Sequence, residues 1–250
     1  MKQIYEENFA GHTLRYLFNY PDTARYMSPY VSLSDAAEYD INASAEYMNS
    51  VRPYYTESTD DAYVEYKSLI NLTSCALLPV QCCLFHAAAI KWKGYAWLIS
   101  GRSGAGKTTQ YKNWKTLFKD EAEMICGDMP LIELRDDRSI WVHPSPWNGK
   151  ERIKGHVSAP LGGIVLLEQS DTNSIVRMSA RECASAVFLQ FAASPENEEQ
   201  IRSMAEMADI MVMSYPVWKL TNTGDLDSTK IMTDTFRCMI KEGEEETETQ

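Results

Sequence analysis

The sequence predicts an α/β fold on a mixed sheet, and three observations lead to it. From about residue 81 onward, short apolar runs of strand length alternate with longer stretches of helical periodicity. One run, residues 95–100, passes directly into a glycine-rich octet that opens a predicted helix at residue 107. Two runs, 84–90 and 95–100, are joined by Lys91-Trp92-Lys93-Gly94, a short Gly-containing link that predicts an antiparallel hairpin.

Taken in order, residues 1–80 form a smaller α+β region expected to pack on the core. Eleven of the fourteen tyrosines lie before residue 67, mixed with acidic residues and alternating runs such as Thr13-Leu14-Arg15-Tyr16-Leu17. The alternation predicts short strands and loops to about residue 60. Aromatic packing with hydroxyls at the rim accounts for the tyrosines, with a peptide-docking surface as the competing role. Residues 60–78 predict a helix with Tyr66, Leu69, Ile70, Thr73 and Leu77 on one face, ended by Pro79.

Residues 81–241 are the predicted nucleotide-binding body. After the hairpin, a helix is expected over 107–118, then short strands over 124–126, 131–134 and 140–143. Asp136 and Asp137, beside Arg138, read as the turn between the last two. A strand over 163–168, helices over 180–193 and 195–213, a strand over 217–220 and a helix over 225–241 follow. Residues 242–250 hold five glutamates and are expected to be a disordered, solvated tail.

The chain has 250 residues, 44% hydrophobic and 24% charged, enough for a full core. A net charge of −11 argues against nucleic acid or an anionic membrane as partner, because the long-range field repels phosphate polymers. A local nest of backbone N–H groups can still hold a small phosphate ligand. The first residues lack an apolar signal segment, and no run approaches the roughly 18 apolar residues that span a bilayer, so a cytoplasmic protein is expected. The six cysteines lack the paired two-residue gaps of a zinc site, and most of them read as reduced, buried apolar residues. Cys82 and Cys83, adjacent in a strand, would face opposite sides.

Gly101-Arg102-Ser103-Gly104-Ala105-Gly106-Lys107-Thr108 fits G-x-x-x-x-G-K-[ST] at every fixed position, after a predicted strand and before a predicted helix. Glycines let backbone N–H groups converge on phosphates without Cβ clashes, and the helix start adds its positive dipole end. ATP with Mg2+ is the expected ligand, GTP being less favoured because no N-K-x-D base-reading motif is present. Ser103 and Ala105 belong to the cradle, Lys107 reaches the β and γ phosphates, Thr108 binds magnesium, and Thr109 follows on the first helical turn. Such a site needs a carboxylate for the metal or for the proton of an attacking hydroxyl. Asp128 is the candidate, emerging from the strand 124–126 about twenty residues after the loop; a turn residue before Pro130 is the plainer alternative.

From His86 onward the order of features resembles the HPr kinase/phosphorylase family, whose P-loop domain is akin to the nucleotide-binding part of phosphoenolpyruvate carboxykinase. The resemblance rests on His86-Ala87-Ala88, the hairpin, the octet 101–108 and Gly127-Asp128, and it covers about residues 60–235. Pro144-Ser145-Pro146-Trp147-Asn148-Gly149-Lys150-Glu151 also looks like the Pro-Trp-x-Gly stretch of small kinase-like members found beside peptide-modification genes. The chain departs from the family in having Gly127-Asp128 where HPr kinases carry paired aspartates, and in lacking a recognisable C-terminal signature. The resemblance implies a fold of that type and places His86 near the γ-phosphate, where it would donate to an oxygen or help activate a nucleophile. A histidine in an apolar strand is otherwise a satisfied core residue. Lys150, Arg152 and Lys154, with Glu151 among them, then become candidate contacts to phosphate or acceptor, against a solvated charged loop as the alternative. His143 and His156 flank that loop without a third ligand at metal-site spacing.

Three function classes remain. The first is a kinase transferring the ATP γ-phosphate to a hydroxyl, such as Ser or Thr of a small protein or peptide, with Asp128, His86 and Lys107 catalytic. The second is a nucleotide-dependent peptide- or protein-binding module with little or no transfer. A small-molecule kinase or a carboxykinase-like lyase completes the set.

Overall fold

A computed structural model of the chain describes residues 4–27, 37–102, 104–149, 152 and 155–248. Strands β1 (Ile4–Phe9) and β2 (His12–Leu17) form a hairpin closed by Ala10-Gly11, both at positive φ (49° and 96°), as a two-residue primed turn requires. β3 (Tyr39–Ile41) adds in parallel to β2. Two helices follow, α1 (Ala45–Val51) and α2 (Asp61–Leu77), the second capped by the Asp60 carboxylate, which accepts from the Ala62 N–H. The expected helix over 60–78 is thus present, and the chain turns at Leu78-Pro79.

These elements are fixed to one another by a buried carboxylate. Glu65 of α2, fully buried, accepts from the backbone N–H groups of Asn19 (2.7 Å) and Tyr20 (3.2 Å), from Asn19 Nδ2 (2.8 Å) and from Thr23 Oγ1 (2.5 Å). A buried carboxylate is tolerated only when its lone pairs are filled this way. Phe9, Leu14, Tyr16, Tyr66 and Leu69 share one apolar cluster with Met129, Leu131 and Trp147, so this region packs on the remainder of the chain.

The apolar run after Pro79 forms two strands where the sequence predicts one over 84–90. β4 (Cys82–Leu84) and β5 (Ala88–Trp92) have different partners, and Phe85, His86 and Ala87 cross between them. β5 and β6 (Tyr95–Ser100) form the expected hairpin, with Lys93 and Gly94 at φ 53° and 84°. Next come α3 (Lys107–Phe118), β7 (Glu123–Cys126), β8 (Leu131–Leu134), β9 (Ile140–His143), β10 (Ala159–Gln169), β11 (Ser174–Arg177), α4 (Ala180–Phe188), α5 (Glu198–Ser214), β12 (Val217–Asn222) and α6 (Leu226–Glu248).

The larger sheet is mixed. It runs β7-β5-β6-β10, and both β6 and β12 lie parallel to β10. β11 extends β12, while β9, β8 and β4 continue from the first residues of β10. The architecture is therefore mixed α/β, as the alternating pattern predicts. One face carries α3 and α6 over Trp92, Trp97, Trp114, Trp218 and Phe236; the other carries α4 and α5. Phe236 stacks on Trp97 at 3.8 Å and 5°. Gly162 and Gly163 make room for the indoles: a Cβ at Gly162 would lie 3.0 Å from Trp97, and one at Gly163 2.6 Å from Trp218. Buried Gln110 ties α3 to α6 through Ser228 and Thr229.

Two helices differ in extent from expectation. α4 stops at Phe188 rather than continuing to 193, because the backbone at 190–192 finds partners outside the helix: Gln190 O accepts from His86 N–H and Ala192 N–H donates to Leu84 O. α6 continues seven residues past the expected end at 241, into the acidic segment read as a tail. Among the described residues no helix is long and apolar enough to cross a membrane.

The aromatic stack yields the first prediction. Phe236→Ala should lose about 3–5 kcal/mol in denaturant unfolding, the range for a fully buried phenylalanine. A loss under about 1 kcal/mol would contradict the packing of α6 on the sheet.

Candidate functional site

β6 ends at Ser100 in the middle of the sheet and delivers the chain to the glycine loop. Gly104 and Gly106 hold φ of 85° and 107°, the left-handed region that a Cβ disfavours. Gly101 is glycine for a second reason, since a Cβ there would lie 3.0 Å from both Ala105 Cβ and Leu167 O. Gly106 is the N-cap of α3 and supplies no side-chain hydrogen bond to the helix start. A twelve-residue helix thus begins with backbone N–H groups as its own capping resource, the arrangement that suits an anion. Thr108 and Thr109 lie exposed on the first turn, and Ser103 lies outside the described residues.

Lys107, His86 and Asp128 meet beside this loop. Lys107 Nζ donates to Gly101 O (2.9 Å) and lies 3.3 Å from His86 Nε2; Asp128 Oδ1 is 3.6 Å from the same ring nitrogen. Three consecutive backbone groups hold the crossing strand here: Phe85 N–H donates to Pro130 O (3.0 Å), His86 N–H to Gln190 O (2.7 Å) and Ala87 N–H to Asp128 O (2.9 Å). His86 therefore stands at a junction rather than inside a strand, and its side chain is one-third exposed.

Burial lowers the affinity of the His86 ring for a proton. The Lys107 charge and, more weakly, Lys67 add to the effect, while Asp128 and the Gln190 side chain oppose it. With its value below the usual 6.5, the ring is neutral at pH 7. Burial also lowers Lys107, against the pull of Asp128. Tyr66 of α2 is pushed up by burial and then by the Asp128 charge, with Arg152 opposing. The N-terminal region thus contributes Tyr66 and Lys67 to the surroundings of the cluster.

The Pro-Trp-Asn-Gly turn closes over Asp128. Met129 N–H donates to Trp147 O (3.0 Å), and Asn148 Nδ2 donates to Ser145 O (2.8 Å). A Cβ on Gly127 would lie 2.4 Å from Asn148 O, and one on Gly149 3.2 Å from Asp128 Cβ. The backbone of this turn thus fills the space a side chain at 127 would need. Arg152 is exposed beyond the turn, while Lys150, Glu151 and Lys154 lie outside the described residues. His143 is taken up structurally: Nδ1 meets Ser158 Oγ (2.8 Å) and Nε2 meets Glu133 Oε2 (3.0 Å).

On the other side of the loop lies a cavity of about 670 Å³, lined by Gly104, Gly106 and Thr109, by Gln169 and Asn222 at the ends of β10 and β12, and by the turns that follow them, including Asp171. Gln169 Nε2 donates to Gly104 O (2.9 Å). In sheet order the His86–Asp128 cluster sits on the β5/β7 side of β6 and the cavity on the β10/β12 side. This is the crevice outside the carboxyl ends of parallel strands where α/β sheets bind ligands. Of the cavity lining, sequence reasoning finds Gly104, Gly106 and Thr109 and misses Gln169, Asp171 and Asn222, and it also misses Tyr66, Lys67 and Gln190 as neighbours of the cluster. The polar turns 169–173 and 222–225 after predicted strands were the available signal for the cavity; Gln190 gave none, being read as helix interior.

Gly127→Ala should destabilise the protein by about 1–3 kcal/mol, the scale for forcing atoms into a filled space. An unchanged denaturation midpoint would contradict the close approach of Asn148.

No protein-family model matches this chain, and no curated protein is detectably similar to it.

Proposed function

We propose that the chain is an ATP- and magnesium-dependent phosphotransferase of the HPr kinase-like P-loop type, transferring the γ-phosphate to a hydroxyl such as Ser or Thr of a protein or peptide. The observation that carries this reading is the meeting of Lys107, His86 and Asp128 at one edge of the glycine loop, with a cavity for the remainder of a nucleotide at the other edge. The loop fits the phosphates because Gly104 and Gly106 take up positive φ and α3 begins without a side-chain cap.

In this reading the triphosphate lies across the loop with the base toward Gln169 and Asn222 and the γ-phosphate toward Asp128. Magnesium, when held by Thr108 and Asp128, would supply charge neutralisation on the β and γ oxygens. Lys107 exchanges its bond to Gly101 O for phosphate oxygens. Asp128 orients the acceptor hydroxyl and takes its proton, with the neutral His86 ring beside it as a second basic group. Arg152, beyond the Trp147-Asn148-Gly149 turn, is proposed as a cation for the acceptor side, with Lys150, Glu151 and Lys154.

A second reading, a nucleotide-gated binding module, is favoured by one observation. Asn148 O leaves no space for a second carboxylate at Gly127, so a single carboxylate must serve both metal and proton.

Incubation with γ-labelled ATP, magnesium and native-cell acceptors separates the two, the kinase labelling an acceptor and the module labelling none. Lys107→Ala should abolish tight nucleotide binding by calorimetry with the fold intact. Asp128→Asn should cut transfer by about 10²-fold or more with a much smaller change in nucleotide affinity. Unchanged transfer in Asp128→Asn at saturating ATP and magnesium would remove this residue from the mechanism.

A further inference from the structure

We propose that Ser158 is a second nucleophile of this protein, a serine that accepts a small acyl group from an activated ester, with His143 as its base and Glu133 holding the ring. The sheet assembles the three. β8 and β9 are antiparallel, with Leu131 opposite His143 and Glu133 opposite Trp141, so Glu133 and His143 are diagonal neighbours on one face. β10 begins with Ala159 opposite Val142, and the same register carried back one residue sets Ser158 against His143. Ser158 Oγ lies 2.8 Å from His143 Nδ1, and Glu133 Oε2 lies 3.0 Å from Nε2. The serine is open to solvent, whereas the side chain of the histidine behind it is only 11% exposed.

The carboxylate sets the tautomer. Glu133 Oε2 accepts from Arg135 Nε as well (2.8 Å), and the Arg135 guanidinium lies over the Trp141 ring at 3.9 Å, so the carboxylate is itself held. An oxygen that takes two N–H donors has no hydrogen to give. The ring hydrogen therefore sits on Nε2, and Nδ1 presents its lone pair to the Ser158 hydroxyl, which donates. Burial holds His143 below its ordinary value, with Glu133 opposing and Arg135 adding, so the ring is a neutral base at pH 7. Nucleophile, base and orienting carboxylate thus stand in the chain that activates a serine hydroxyl, the two ring nitrogens exchanged relative to the usual order.

In the acylation step the bond from Ser158 Oγ to the ester carbonyl carbon forms as the hydroxyl proton passes to Nδ1. The ester C–O bond then breaks, and that proton leaves with the alcohol. Water reverses the sequence: its oxygen bonds to the acyl carbon, its proton passes through Nδ1 to Ser158 Oγ, and the carboxylic acid departs. Ser158 immediately precedes the eleven-residue β10, whose last residue, Gln169, lines the nucleotide cavity. The two sites lie at opposite ends of one strand, and this inference stands apart from the phosphotransfer reading.

The experiment treats the whole chain with para-nitrophenyl acetate and, separately, with a fluorophosphonate, which loses fluoride as its phosphorus bonds to the serine oxygen; mass spectrometry locates each adduct. Wild type should carry both on Ser158. His143→Gln should slow labelling by about 10²-fold or more, the scale for loss of a general base. Glu133→Gln should lower the maximal labelling rate on the order of tenfold or more at a nearly constant half-saturating probe concentration, a split that a merely structural role would not give. Ser158→Ala, at an exposed position, should abolish the adduct and bind nucleotide as wild type does, and Lys107→Ala should label as wild type does. An unlabelled Ser158 in the wild-type protein, labelling no faster than that of urea-unfolded chain, or an undiminished rate in His143→Gln would each overturn the assignment.

Discussion

Three successive backbone N–H groups, those of Phe85, His86 and Ala87, donate to three different segments of the chain, at Pro130, Gln190 and Asp128. Each bond is the ordinary satisfaction of a buried amide, worth little alone and costly to leave unmade. Together they decide the architecture of the site. They draw the turn after β7 and the reversal after α4 to the place where the chain crosses from β4 to β5. Ser100, whose hydroxyl lies 2.7 Å from His86 O, joins the end of the glycine-loop strand to the same junction. A lysine, a histidine and a carboxylate distant in sequence therefore meet without any of them lying within a regular strand.

The same economy explains the single carboxylate. Position 127 approaches Asn148 O so closely that only glycine fits, and the turn from Trp147 to Gly149 occupies what would have been side-chain space. Trp147, fully buried against Phe9 and Tyr16, anchors that turn to the N-terminal sheet. The N-terminal region is consequently coupled to the site by packing: its strands hold Trp147, and its helix α2 brings Tyr66 and Lys67 to the surroundings of Asp128 and His86.

What the sequence makes legible follows from range. The glycine loop, the hairpin with Lys93-Gly94 at its tip, α2 with its Asp60 cap and the strand leading to Asp128 are specified by neighbours within a few residues, and local pattern finds them. The break at residues 85–87 is invisible to the same reasoning, because an unbroken apolar run looks identical whether it pairs with one strand or passes between two. The early end of α4 has the same origin: residues 189–193 carry no breaker, and the backbone leaves the helix for partners about a hundred residues away. Gly127 reads as a flexible turn residue until Asn148 is seen against it. The cavity beyond β10 and β12 required knowing which strands are parallel neighbours of β6, which periodicity does not reveal.

The central claim is one of placement: a nucleoside triphosphate lying across the loop, its γ-phosphate at Lys107, His86 and Asp128 and its base over the turns after β10 and β12. The most direct measurement is a structure of the protein with a non-hydrolysable ATP analogue and magnesium. The account predicts Lys107 Nζ released from Gly101 O and bonded to β or γ oxygens, the terminal phosphate next to Asp128, and the base between the Gln169 and Asn222 turns. A triphosphate running the other way, or a nucleotide seated away from Gly101–Thr108 altogether, would contradict it.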